Sequence, residues 1–230
     1  MRRFLPLAAI GAILALAYLS DFGTYLTFDH LRAHHQIMVG YVAASPVAAA
    51  ATYFVLYALA VAASVPGAVF MTIIGGFLFG AVLGTTLTVL AATAGATLLF
   101  LAARTALGSA LRGKAESWLG RMETGFRRNA FSYLLVLRLV PLFPFFIVNL
   151  VPAFLGVGLG TYVAATLIGI VPGTLVFTLA GCGVGSILEA GGEFSIRSVL
   201  TPEMIAALCG LALLALAPVV YKRFSTKPTS

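Results

Sequence analysis

Long apolar runs, separated by short polar stretches, set the pattern of this chain. Four runs, at about 4–20, 81–104, 157–181 and 203–221, approach the roughly 20 residues that cross a bilayer. Two further apolar regions, about 47–80 and 131–156, are interrupted midway, at Ser64-Val65-Pro66-Gly67 and at Pro141 through Pro144. Each half holds only about 10–16 residues, short for a span but suited to one leg of a hairpin that enters the membrane and returns to the same side.

The two broken regions read as copies. Phe79-Gly80 and Gly84-Thr85 recur as Leu155-Gly156 and Gly160-Thr161, at a constant offset of 76 (156 − 80 = 160 − 84). The same offset sets Pro66 opposite Leu142, inside the second break. The pattern predicts an all-α polytopic membrane protein: an inverted repeat of re-entrant hairpin plus transmembrane helix, with flanking N- and C-terminal transmembrane helices. A single span between the copies turns the second upside down relative to the first, a plan common in transporters. The chain then divides into 1–46 (first helix and extracytoplasmic segment), 47–181 (membrane domain) and 182–230 (extracytoplasmic loop, last helix and basic tail). Within the membrane domain the hairpins are 47–80 and 131–156, the spans 81–104 and 157–181, and the connecting loop 105–130.

Composition supports the membrane assignment. With 61% of residues hydrophobic and 9% charged, a soluble fold could not hide its apolar surface. The net charge of +7 does not point to nucleic acid, because eleven of the fourteen Lys and Arg flank the apolar runs. They group as Arg2 and Arg3; Arg104, Arg112, Lys114, Arg121, Arg127 and Arg128; and Lys222, Arg223 and Lys227. The positive-inside rule sets both termini and loop 105–130 in the cytoplasm of a cell (inner) membrane. Six full crossings satisfy the same parity; the short proline-broken legs favour hairpins. Residues 1–20 read as an uncleaved first helix, against a leader cut near Ala15-Leu16-Ala17. Loop 105–130, with Trp118, Leu119 and Phe126 among arginines, reads as an amphipathic helix on the anionic leaflet or as a solvated loop.

Arg138 is the chemical anomaly. It lies in the apolar stretch LRLVPLFPFFIVN with no acidic residue near it, and a charge at mid-membrane costs roughly 2.5–3.5 kcal/mol. Pro66-Gly67 and Pro144 each suit the start of a return leg, whose free N–H groups and positive dipole end would face the membrane centre. Two such helix ends, Pro141 in the second break and the Arg138 fork make an anion site for which a phosphate is the natural guest. Alternatively, Arg138 caps carbonyls at a leg's end or snorkels to the surface. Asn149 either bonds a head group or its neighbour's backbone. Gly75, Gly76, Gly80 and Gly156 allow close helix approach in lipid, and Pro172-Gly173 is either a hinge or a passive kink.

Other chemistries find little support. No carboxylate pair, Ser/His or Cys/His arrangement, or phosphate-binding loop falls at the membrane centre, so no enzyme is expected. His30 and His34 lack a third ligand, so no metal or other cofactor is assigned. Cys182 and Cys209 read as small apolar residues.

The stretches PGAVFMTIIGGFLFG (66–80), FLAAR (100–104), LRLVPLFPFFIVN (137–149) and GIVPG (169–173) resemble the DedA-like superfamily, also called the VTT-domain or SNARE-associated Golgi protein family. The likeness covers about 47–181. It implies two opposed re-entrant hairpins and a role in lipid translocation or membrane homeostasis, relatives being described as lipid scramblases, polyprenyl-phosphate carriers or proteins of proton-dependent transport. The acidic residues that the DedA pattern has near the first hairpin are missing here, which favours the SNARE-associated Golgi branch; only Arg138 is carried over. The expected function is a scramblase- or flippase-like transporter whose partners are membrane phospholipids or a polyprenyl phosphate, with no nucleic acid and homo-oligomerisation left open. Carriage of a small soluble anion and a structural membrane-organising role are the alternatives.

Overall fold

The computed structural model describes residues 28–65, 67–106, 130–139, 145–189 and 210. The predicted spans 4–20 and 203–221, most of loop 105–130, and Pro66, Pro141 and Pro144 lie outside the described residues. Among those described there is no strand. The helices are α1 (Phe28–Ala44), α2 (Pro46–Ala62), α3 (Ala68–Ala106), α4 (Ala130–Leu139), α5 (Phe145–Phe154), α6 (Leu159–Gly169) and α7 (Val171–Glu189). Ala68–Thr105 and Leu159–Val184 are long and apolar enough to cross a membrane, and the bent pair Gln36–Ala44 and Pro46–Ala62 brings the number to three if it is one span.

The first broken region folds as two helical stretches joined by a tight turn. The chain leaves α2 through Ser64 (φ 54°) and Gly67 (φ 112°), both in the left-handed region. Ser64 and Val65 N–H donate back to Val61 and Ala60 carbonyls, satisfying the end of α2. The following stretch, 68–79, then ends at Gly80, whose φ of 74° and ψ of 177° interrupt α3. Only glycine adopts that backbone region readily.

The interruption is a reversal. Nine residues of continuous helix would separate Gly75 from Gly84 by about 13.5 Å, yet a Cβ on Gly84 would lie 2.6 Å from the Gly75 carbonyl oxygen. The Tyr53 hydroxyl reaches both the Met71 carbonyl (3.2 Å) and Thr88 Oγ1 (2.6 Å), one residue on each side of the bend. Residues 68–79 are therefore a short first leg folded back on 81–106.

The second region ends in the same way. Gly156 has a φ of 68°, and Val157 N–H donates to the Pro152 carbonyl at 3.1 Å. That six-to-one bond past a left-handed glycine is the Schellman stop of α5. Gly80 and Gly156, which the offset of 76 pairs in sequence, thus both take a positive φ at the end of a short helical stretch.

Small residues bring these pieces together. The core joins Ala58, Ala91, Ala92, Ala96, Ala103, Ala153 and Ala165 with Tyr53, Tyr57, Phe100 and Tyr162. A Cβ on Gly76 would collide with the Thr178 backbone, and one on Gly181 with the Ile73 carbonyl, so the first leg lies directly against α7. Thr85 and Thr178 hydroxyls hydrogen-bond at 2.7 Å across the same seam. Without water to drive apolar surfaces together, close backbone approach and interhelical hydrogen bonds supply the cohesion.

The outer surface is the reverse of a soluble protein's. Val47 and Val82 are 81% and 82% exposed, with Val55, Leu56, Leu83 and Leu98 also on the outside. Contiguous apolar exposure of this kind belongs against lipid, and the chain is an integral membrane protein. Gly80→Ala should cost about 1–3 kcal/mol through its backbone conformation and lower the thermal midpoint in detergent. Gly160→Ala, where nothing lies within 4 Å of the added carbon, should leave the midpoint unchanged or raise it.

Candidate functional site

Arg138 occupies the last turn of α4. Its Nη2 donates to Asn149 Oδ1 at 2.7 Å, and to the Tyr162 hydroxyl and Thr166 Oγ1 at 3.0 Å each. The guanidinium carbon lies 5.5 Å from the Tyr162 ring centroid, within cation–π range. These three partners are neutral side chains.

A second layer fixes those acceptors. The Tyr162 hydroxyl donates towards Asn149 Oδ1 at 2.9 Å, with the Ala96 carbonyl of α3 at 3.3 Å. Its ring stacks on Phe100 at 4.3 Å between centroids. Asn149, Tyr162 and Thr166 are all buried. Asn149 accepts from two donors through one oxygen, which fixes the amide orientation and turns Nδ2 away. The Asn149 oxygen thus positions the arginine.

Room for the arginine comes from Gly169. A Cβ there would lie 2.6 Å from Arg138 Cβ and 3.2 Å from its Cγ. Tyr162, Thr166 and Gly169 follow a spacing of four and three residues, one face of α6. That stripe is readable in the sequence, but its meaning depends on knowing that α4 packs there.

Two donors remain. Arg138 Nε and Asn149 Nδ2 are buried with no hydrogen-bond partner. No carboxylate occurs between Asp29 and Glu116 or between Glu123 and Glu189, so the described helices from α2 through α6 hold nothing that cancels the charge. The site is a cation with unfilled donor capacity in an apolar setting.

The remaining expected residues fall elsewhere. Gly67 lies in the turn before the first leg, Gly75 packs under the Tyr53 hydroxyl, and Gly76 packs on α7. Gly80 and Gly156 form the leg-to-span turns. Pro172 falls in the first turn of α7, where Thr174 N–H still donates to Ile170 across the junction, and Gly173 faces open space. Pro66, Pro141 and Pro144 lie outside the described residues.

The VTT domain family matches residues 65–182, a stretch that contains every residue of the Arg138 cluster. The chain belongs to this VTT/DedA family. Among similar proteins, the transmembrane protein 41 homolog of Dictyostelium discoideum is 30% identical over 176 residues, covering 75% of this chain and 51% of that protein. Transmembrane protein 41B of Mus musculus is 28% identical and that of Homo sapiens 27%, each over 74% of this chain and 58% of theirs. The chain thus spans little more than half the length of these relatives. No solved structure matches it.

Tyr162→Phe keeps the ring on Phe100 but removes the hydroxyl that serves Arg138, Asn149 and Ala96. It should cost about 1–3 kcal/mol, the penalty for stranding buried polar partners, read as a lower thermal midpoint in detergent. Gly169→Val should cost at least as much by pushing Arg138 off its acceptors.

Proposed function

We propose that this chain moves phosphate-bearing lipids across the bilayer, as a scramblase- or flippase-like transporter without enzymatic activity. One observation carries the reading: Arg138 Nε and Asn149 Nδ2 are two buried, unpartnered donors, one on and one beside a guanidinium that no carboxylate neutralises among the described residues. A phosphate supplies what that arrangement lacks, an anion with several acceptor oxygens. An apolar tail can stay in the surrounding lipid while the head group is held, which lowers the barrier to its crossing. Family membership supports the same direction, given the lipid roles that the resemblance implies.

The proposed topology follows the two reversals. Residues 46–79 and 130–155 are re-entrant hairpins entering from opposite faces, 81–106 and 159–184 are the spans, and both termini are cytoplasmic. The two copies form an inverted repeat with Arg138 near the midplane. The substrate is a membrane phospholipid or a polyprenyl phosphate, and movement follows a gradient or exchange.

Fluorescent phospholipids in liposomes containing the purified protein should reach the opposite leaflet faster than in empty liposomes. Arg138→Ala removes charge-assisted hydrogen bonds worth roughly 1.5–3 kcal/mol, so it should slow the flip about ten- to a hundredfold. Equal rates in wild type, variant and empty liposomes contradict the proposal. Radiolabelled phosphate entry without lipid movement would assign the site to a soluble anion instead.

A further inference from the structure

A cavity lies apart from Arg138. Helices α1 and α2 meet at Ser45 with a bend of 117°, because Pro46 starts α2 without an N–H and disfavours helix at the residue before it. The wedge so opened is floored by the first leg and encloses about 340 Å³, lined by Met38, Tyr41, Leu56, Ile74, Leu78 and Phe79 among others. That volume falls within the range of roughly 300–1,000 Å³ typical of small-molecule sites.

The wall is apolar by construction. Tyr53 also lines the cavity, but its hydroxyl is engaged by the Met71 carbonyl and Thr88, so the ring carbons form the wall. Such a cavity does not attract water and takes apolar guests. Tyr41 of α1 and Leu56 of α2 stand half-exposed at its edge, and the α2 surface also displays Val47 and Val55. In a membrane protein that surface meets hydrocarbon, so hydrocarbon is what can enter.

Depth and shape narrow the occupant. The first half of α1 carries Asp29, His30, Arg32, His34, His35 and Gln36, whereas 37–44 carry no charge. The cavity's α1 wall, from Met38 onward, therefore begins about half a helical turn after the last polar residue, Gln36. A packed helix, about 10–12 Å across, is too thick to enter; a linear chain is not.

We propose that this cavity holds one acyl chain of a bilayer phospholipid. It is separate from the Arg138 cluster, since Tyr53 meets α3 at Thr88 and Tyr162 meets it at Ala96, about 12 Å further along the helix. The proposal rests on the membrane setting and not on transport.

The test uses the full chain in phosphatidylcholine vesicles doped with phosphatidylcholine bearing a diazirine on its acyl chain. After irradiation, adducts mapped by peptide mass spectrometry should be severalfold richer on 38–42, 49–56 and 71–79 than on the equally lipid-exposed Val82 and Leu83. Ala49→Phe, which fills the cavity, and Leu56→Trp, which obstructs its surface edge, should each reduce them severalfold. Adducts spread evenly over both regions, or unchanged by both variants, overturn the proposal. So does disulfide linkage of two Leu56→Cys copies at high yield, which would assign the surface to a second copy. Because labelling is read without any flip measurement, failure here leaves the Arg138 reading intact, and the converse holds.

Discussion

A guanidinium held in apolar surroundings by neutral groups organises the second half of this protein. Removing such a charge from water is costly, and among the described residues the compensation comes from dipoles rather than from a counter-ion. Arg138 on α4 binds Asn149 on α5, and Tyr162 and Thr166 on α6; Tyr162 then reaches the Ala96 carbonyl and the Phe100 ring of α3. One side chain thereby ties four helices. A carboxylate partner would have neutralised the cation and filled its donors. With amide and hydroxyl oxygens alone the cation is positioned but not neutralised, which suits reversible capture of an anion.

The two broken regions share a positive-φ glycine after a short helical stretch but not this chemistry. Subtracting 76 from Arg138, Asn149 and Tyr162 gives Ala62, Ile73 and Thr86. The first region places hydroxyl pairs instead, Tyr57 with Thr72 at 2.8 Å and Tyr53 with Thr88, which tie α2 to α3 on both sides of the Gly80 bend without a charge. Its leg is wedged between α2 and α7, and α7 continues from the helix that bears Tyr162, Thr166 and Gly169. The cation site and the first leg are thus joined by uninterrupted packing.

What the sequence makes legible follows from locality. The break at 64–67 and the leg-to-span turns at Gly80 and Gly156 are written as proline and glycine, residues whose backbone restrictions or freedoms act on the spot. Arg138 stands out because a charge in an apolar run is anomalous wherever it lies. Its acceptors are not anomalous: Tyr162 and Thr166, 24 and 28 residues away, look like ordinary residues of a lipid-facing helix until α4 is laid against α6. Gly169 is similar, since a glycine stripe in a membrane helix does not reveal which side chain it admits. The cavity under α1 is the least legible, because Pro46 announces a bend but not the angle between the helices or what the bend encloses.

The central claim is that the Arg138 cluster binds the phosphate of a lipid, and binding to the folded state alone raises stability with ligand concentration. The direct measurement is the thermal midpoint of the detergent-purified protein titrated with short-chain phosphatidic acid, against diacylglycerol of the same chain length. The account predicts a saturable rise with phosphatidic acid, equivalent to about 2.7 kcal/mol at a hundredfold excess over Kd. It predicts no such rise with diacylglycerol or in Arg138→Gln. An equal rise in wild type and Arg138→Gln, or an equal rise with either lipid, would contradict it.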